Sequence, residues 1–150
     1  MDRGLAGHLG APRGAARASD RRARVLLVDH LASARSAVAE ALHGTGYEIV
    51  LVTSGPAALA ELERRGADLL LTDLYMPEMT GWDLVRAVRA RGTVGRRGGR
   101  LCVGLYSVAL SGVSREQLAR AQVDFAITRP GDPEAILDAV ERALAWAEVA

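Results

Sequence analysis

The sequence predicts a doubly wound α/β domain built on a five-stranded parallel sheet. Three observations predict it. Short apolar runs alternate with helical patterns five times from Val25 onward. The runs are mostly continuous rather than alternating, as in strands covered on both faces. The helical stretches carry start and stop residues at their ends. Parallel strands joined through helices imply right-handed crossovers and helices on both sides of the sheet.

The elements follow in order. Residues 1–23, rich in Gly, Ala and Arg, carry no apolar period and are expected to be a disordered basic tail, leaving 24–150 as the folded domain. "VLLV" (25–28), closed by Asp29, reads as the first strand. A helix is expected over 33–43, burying Val38, Ala41 and Leu42 and stopped by Gly44 and Gly46. "EIVLV" (48–52) is the second strand. The stretch 54–66 is a helix with Pro56 in its first turn and Gly66 past its end.

"DLLLT" (68–72) is the third strand, and a helix from Trp82 to Arg91 buries Leu84, Val85 and Val88. "GTVGRRGGR" (92–100) reads as a mobile surface loop whose Arg96, Arg97 and Arg100 are solvated. "LCVGLY" (101–106) is the fourth strand. Ser114 opens a helix with Gln117 at capping-box spacing. "DFAIT" (124–128) is the fifth strand. Asp132-Pro133-Glu134 starts the last helix, with an apolar stripe of Ile136, Leu137, Val140, Ala143, Leu144 and Ala147.

Composition narrows the function classes. A chain of 150 residues with 49% apolar content supports one domain with a buried core. Basic and acidic groups nearly balance, at 19 against 18, so no global charge points to nucleic acid or membrane. Residues 1–24 hold six Arg against two Asp, but without interleaved aromatics they are a weak nucleic-acid signal. Every basic residue is Arg; Lys and Asn are absent.

The single Cys102 excludes an internal disulfide and is expected to be a core residue, not a redox centre. No apolar run reaches the roughly 18 residues of a membrane span, and the N-terminus lacks a signal peptide's apolar core. A soluble, cytoplasmic protein is expected.

Sites in doubly wound sheets lie at the carboxyl ends of the strands, where the strand order reverses. Asp29 ends the first strand and Asp73 the third, so if those strands are neighbours their carboxylates share one crevice. A second Asp two residues after Asp73, as a dehalogenase-type phosphatase needs, is missing: Tyr75 stands there. A flavin phosphate loop, a cobalamin Asp-x-His motif, a P-loop and a nucleophilic triad are likewise missing from the sequence.

"VLLVDHLASAR" (25–35), "LLLTDLYMPEMTGWDLVRAVR" (69–89) and "DFAITRPGDPEAILDAV" (124–140) together resemble the receiver domain of bacterial response regulators. The resemblance covers about residues 24–148. Its most specific part is Asp73 after an apolar strand, then Met76-Pro77, then Gly81. It implies a flavodoxin-like sheet in the order 2-1-3-4-5. It also implies two-component signalling, with Asp73 accepting a phosphoryl group from a histidine kinase or phosphotransfer protein, an autocatalytic acceptance rather than conventional enzymology.

The family's Mg²⁺ would be held here by Asp29, by Asp73 and by the backbone of Tyr75. A carboxylate attacks an anionic phosphoryl donor poorly, and a hard cation with oxygen ligands offsets the repulsion. Where the family has a second acid after strand one, this chain has His30. Imidazole suits Mg²⁺ poorly, so the resemblance implies a weakened metal site. His30 is open to two readings: a solvent-facing loop histidine, or, when protonated, an internal cation beside Asp73.

Arg129 stands at the family's phosphoryl-contacting Lys. The family's hydroxyl switch at the end of strand four falls on Tyr106 or on Ser107, and its aromatic on strand five falls on Ala126, next to Phe125. Trp82 and Trp146 are expected to pack or to face a partner, with Trp82 close enough to the crevice to report on it. The implied output is a downstream protein, or a second copy, docking on the face of the fourth helix, fifth strand and fifth helix. The alternative is a degenerate receiver acting as a phosphorylation-independent interaction or dimerisation module, a reading favoured by His30, Tyr106 and Ala126.

Overall fold

The computed structural model describes residues 22–108 and 110–149. Of the tail expected over 1–23, residues 1–21 lie outside the described residues. The elements are β1 (Arg24–Val28), α1 (Ala32–Ala41), β2 (Glu48–Val52), α2 (Gly55–Arg64), β3 (Leu69–Thr72), α3 (Gly81–Ala90), β4 (Cys102–Ser107), α4 (Arg115–Ala121), β5 (Phe125–Thr128) and α5 (Pro133–Val149). All strand pairs are parallel, and the order is β2-β1-β3-β4-β5, as the resemblance implies.

Period-two alternation along the central strands divides the core in two. Val25, Leu27, Leu69, Leu71, Cys102 and Tyr106 face α1 and α5, where Ala34, Val38, Ile136 and Val140 meet them. Leu26, Val28, Leu70, Val103 and Leu105 face the other way, onto Ala58, Leu62, Leu84 and Val88 of α2 and α3. Every residue of β1 and β3 is buried, which is why those strands read as continuous apolar runs. Each fully buried Leu or Val contributes about 1.5–3 kcal/mol relative to exposure.

Local chemistry starts and stops the helices. Ser54 caps α2, and reciprocal capping boxes pair Thr80 with Asp83 and Ser114 with Gln117. Asp132 Oδ1 accepts the backbone N–H groups of Glu134 and Ala135 at the start of α5. Gly44 and Gly46, at φ of 81° and 82°, turn the chain after α1 into β2.

Two expectations need correction. The fourth strand runs one residue beyond its expected end, because Ser107 pairs with Thr128 while Leu101 stays outside the ladder and its N–H turns to the Thr93 carbonyl. The loop 92–100 is exposed at Arg97 and Arg100, as expected, but Arg96 is half-buried and the segment is tied to the fold rather than free. An antiparallel bridge joins Val94 to Arg100, and Arg96 donates its backbone N–H to Ala67. Its arginines are ion-paired: Arg96 lies 3.7 Å and Arg97 3.8 Å from Asp68, and Arg100 pairs with Asp124. Buried or half-buried acids at the amino ends of the strands draw those guanidinium groups in.

Cys102 is buried, as expected for a core thiol. Burial, then the neighbouring Asp124 carboxylate, pushes its pKa up to about 12, which leaves it unreactive at neutral pH.

At the same pole, Glu61 accepts from Arg24 and from Arg64, and these bonds hold its carboxyl below the ordinary value of 4.5. A depressed folded-state pKa gives stability that is present above the unfolded value and is lost as pH falls through the lower, folded one. Glu61→Gln is therefore expected to lower stability at pH 7 and to flatten the acid limb below about pH 4.5. Urea midpoints measured against pH check it, and an unchanged acid limb would contradict it.

Candidate functional site

The crevice follows from sheet order and register. The order reverses between β1 and β3, which lie side by side with Val28 opposite Thr72. Asp29 and Asp73, the next residue on each strand, therefore leave the sheet together and on the same face. Tyr106 shares that face because Thr72 pairs with Leu105 and Tyr106 comes next. Ile127 pairs with Tyr106, so Arg129, two residues on, rises on the same side. Four residues from four strands thus converge on one end of the sheet.

Each acid is anchored by backbone. Asp29 Oδ1 accepts the Leu31 N–H at 2.9 Å, and Asp73 Oδ1 accepts the Leu74 N–H at 2.7 Å. Their own amides are tied down as well, Asp29 N to Val52 O and Asp73 N to Val28 O, both at 3.1 Å. Both residues are buried. Burial first, with the Asp73 carboxylate adding to it, pushes Asp29 above the ordinary carboxylate range; the Leu31 amide and Arg129 oppose the shift.

Arg129 supplies the opposing charge. One guanidinium nitrogen lies 2.6 Å from Asp29 Oδ2 and the other 3.7 Å from Asp73 Oδ2. Its carbon stands 5.5 Å from the centroid of the Tyr106 ring, a cation–π arrangement, and its backbone N–H donates to the Ser107 carbonyl at 2.9 Å. Tyr106 is buried beneath it; burial raises the phenol's pKa, opposed by the Gly131 amide and by Arg129. Ser107 is also buried and ends β4, so the strand-terminal hydroxyl belongs to Ser107 while the ring of Tyr106 lies under Arg129.

His30 borders the same space. Among the described residues, Asp29, His30 and Asp73 place one ligand atom each within 4.8 Å of one another. His30 Nδ1 lies 3.8 Å from Asp29 Oδ1, and its side chain is about one third exposed, at 34%. His30 keeps features of both readings: its side chain is partly exposed and it also lies within 4.8 Å of Asp73, where Arg129 brings a second cation. Tyr75, two residues beyond Asp73, has an exposed ring and sits in the loop that leads to α3.

Two further contacts complete the site. Arg35 of α1 donates to the Asp29 carbonyl at 2.8 Å and fixes the loop after β1. The sequence pattern marked no role for it, since it lies in a helical turn among small residues. Gly81 lies so close to Asp73 that a Cβ would collide with the Asp73 carbonyl oxygen and stand 3.0 Å from Leu74 Cα. On β5, Ala126 is exposed, and the Phe125 ring covers Gly104 on the opposite face.

The arrangement can do limited chemistry. Two carboxylates of hard oxygen character fit a divalent cation, whereas the imidazole adds a donor better suited to transition ions. One carboxylate, Asp73, is anchored through Oδ1 to the Leu74 amide and turns Oδ2 toward Arg129.

A family model described as response regulator receiver domain matches residues 25–141. The sensory transduction protein RegX3 of Mycobacterium tuberculosis is 46% identical over 70 residues, 47% of this chain and 31% of that protein. The two-component response regulator ORR2 of Oryza sativa subsp. japonica is 49% identical over 43 residues, 29% of this chain and 17% of that protein. The matched segments therefore span about a third or less of these relatives' length.

Among solved structures, the chemotaxis response regulator CheY4 of Vibrio cholerae superposes with a TM-score of 0.69 at 27% identity, covering 81% of this chain and 98% of that one. The receiver domain of sensor histidine kinase PA1611 from Pseudomonas aeruginosa PAO1, which has a magnesium ion coordinated in its active site cleft, gives a TM-score of 0.71 at 22% identity, covering 83% and 98%.

Proposed function

This chain belongs to the response regulator receiver domain family, and on that premise we propose that Asp73 accepts a phosphoryl group from a histidine kinase or phosphotransfer protein. The observation that carries the reading is the pairing of a rigid strand-end carboxylate with a second acid and a cation at the switch point of the sheet.

In the proposed step, an Asp73 carboxylate oxygen attacks the donor's phosphorus. The bond to the leaving histidine nitrogen, or to the acyl oxygen of a small donor, breaks with its electron pair. An aspartyl phosphate forms on Asp73, and the donor is released. The Leu74 amide holds Asp73 Oδ1, so the side chain meets the donor in one orientation. Arg129 brings positive charge beside that carboxylate and suits phosphoryl oxygens, which its planar fork grips with two donors.

Asp29 and Asp73, with the Tyr75 backbone, would hold a Mg²⁺, which when bound supplies charge neutralisation for the transferring group. His30, in place of a second acid, contributes no oxygen ligand there. Output would pass to a downstream protein, or to a second copy, through the face of α4, β5 and α5. No described helix is long and apolar enough to cross a membrane.

The second reading, a phosphorylation-independent interaction module, gains one structural observation beside His30, Tyr106 and Ala126: Arg129 already balances Asp29 without any added ion. Intact-protein mass spectrometry after incubation with acetyl phosphate, with and without Mg²⁺, separates the two. A single phosphoryl adduct that requires Mg²⁺ and vanishes in Asp73→Ala is the expected result. No adduct on a folded protein would favour the module.

A further inference from the structure

We propose that His30 is a metal ligand and that it makes the crevice a site for a borderline divalent transition ion, with Zn²⁺ as the first case, in preference to Mg²⁺. The inference deepens the reading above and rests on its placement of a metal between Asp29 and Asp73.

Three donor atoms carry the argument. Asp29, His30 and Asp73 each offer one, and all lie within 4.8 Å of one another. Two donors bound to one ion at about 2.1 Å each stand no more than about 4.2 Å apart, so the set must close in slightly around a cation. The residue free to close it is His30. Both acids are buried and tied to backbone amides, Asp29 Oδ1 to Leu31 N–H and Asp73 Oδ1 to Leu74 N–H. The His30 side chain is 34% exposed, and its Nδ1 already stands 3.8 Å from Asp29 Oδ1. A small turn of the imidazole moves that nitrogen without disturbing either carboxylate.

The backbone on both sides of His30 is fixed. Arg35 holds the Asp29 carbonyl before it at 2.8 Å, and the Leu31 N–H after it bonds Asp29 Oδ1. Arg129 pairs with the other oxygen of Asp29, Oδ2, at 2.6 Å. A carboxylate oxygen that accepts one amide keeps a second lone pair, so Oδ1 can still bind an ion on the imidazole's side.

Ligand chemistry then selects the ion. Mg²⁺ demands near-ideal octahedral oxygen ligation and gains little from imidazole. Two carboxylates with one neutral imidazole, and the remaining positions left to water, are a donor set of the kind that open zinc sites use. Histidine in place of a third acid therefore removes charge that Mg²⁺ needs and adds a nitrogen that Zn²⁺ binds well. Cys102 does not compete, because its buried thiol, with a pKa of about 12, stays protonated.

Calorimetric titration with Zn²⁺ alone and with Mg²⁺ alone tests this on the wild-type chain, His30→Ala and His30→Asp, with folding checked by circular dichroism. Wild type is expected to bind Zn²⁺ at least about 100-fold more tightly than Mg²⁺. His30→Ala is expected to lose at least about 10-fold in Zn²⁺ affinity while its Mg²⁺ affinity stays within about 3-fold of wild type. His30→Asp is expected to bind Mg²⁺ at least about 10-fold more tightly than wild type. Co²⁺ adds a readout that a merely structural role would not move: its visible absorption follows its ligands and should change in His30→Ala.

Unchanged Zn²⁺ affinity and an unchanged Co²⁺ spectrum in folded His30→Ala would overturn the ligand role. Equal losses for Zn²⁺ and Mg²⁺ would overturn it too, since they report a disturbed loop and not a lost nitrogen. If His30→Ala does not fold, His30→Gln makes the same comparison. Binding of neither ion to wild type overturns both the ligand role and the metal placement. The phosphoacceptor reading fails separately, through absence of the acetyl phosphate adduct in a wild-type protein that does bind one of the two ions.

Discussion

Gly81→Ala is expected to destabilise the domain by about 2–3 kcal/mol and to weaken phosphoryl acceptance by more than that loss explains. The new Cβ would collide with the Asp73 carbonyl oxygen and stand 3.0 Å from both Asp73 C and Leu74 Cα. Those are backbone atoms, so no side chain can swing aside. Either α3 shifts away from the sheet or the Asp73 segment moves.

The first outcome breaks the Gly81 N–H bond to Leu74 O, 2.8 Å long, and disturbs the Thr80 capping box. The second turns the Asp73 carboxylate away from the position that the Leu74 amide defines. Urea midpoints give the stability loss, and the rate of acetyl phosphate labelling at a denaturant-free, fully folded temperature gives the positional loss. Labelling and stability both at wild-type values would contradict the packing argument. The requirement for glycine here is steric, because Gly81 is not among the residues with positive φ.

Arg24→Met is expected to cost about 3 kcal/mol, at the lower end of the range for breaking a buried ion pair. The Arg24 side chain is 2% exposed at the amino end of β1, opposite the acidic crevice. Its guanidinium meets Glu48 Oε2 at 3.1 Å, Glu61 Oε1 at 2.6 Å and the Gly66 carbonyl. Methionine keeps much of the volume but leaves two acids and a carbonyl facing an apolar chain.

The effect stays at the lower end because Glu48 and Glu61 keep contact with Arg65 and Arg64 and with solvent. Adding Glu61→Gln to Arg24→Met is expected to recover part of the loss, since an uncompensated charge costs more than its neutral isostere. Chemical denaturation of the single and double variants checks both statements. A double variant less stable than Arg24→Met would show that Glu61 is not the stranded charge.

These two variants also mark how much of the molecule could be read from its sequence. The strands and helices were legible because their signals are local. A continuous apolar run, a capping box or a Pro-first and Gly-last helix is written within a few residues. Ser114 with Gln117 and Asp132 before Pro133 do in the fold what their spacing predicted. Asp29 and Asp73 were legible as strand-end carboxylates because a strand's exit point is a local property too.

The network around Arg24 was not legible. It joins β1 to residues 24, 37, 42 and 44 positions away, and in the sequence Arg24 looks like the end of a basic tail. Nor was the choice between Tyr106 and Ser107. One extra residue of pairing moves the strand end, and neighbouring residues on a strand face opposite ways.

From the amino-acid order alone come the fold class, the element sequence and the presence of carboxylates at the tips of β1 and β3. The partner of those carboxylates comes from elsewhere. Arg129 lies 100 residues from Asp29, and nothing near either residue records that they touch. Strand order brings their strands to one end of the sheet, register puts both on one face, and the arginine's length carries its charge back over Tyr106. Periodicity and capping act over one turn or one pleat, so sequence can express them; a contact across the two intervening strands, β3 and β4, exists only once the sheet has assembled.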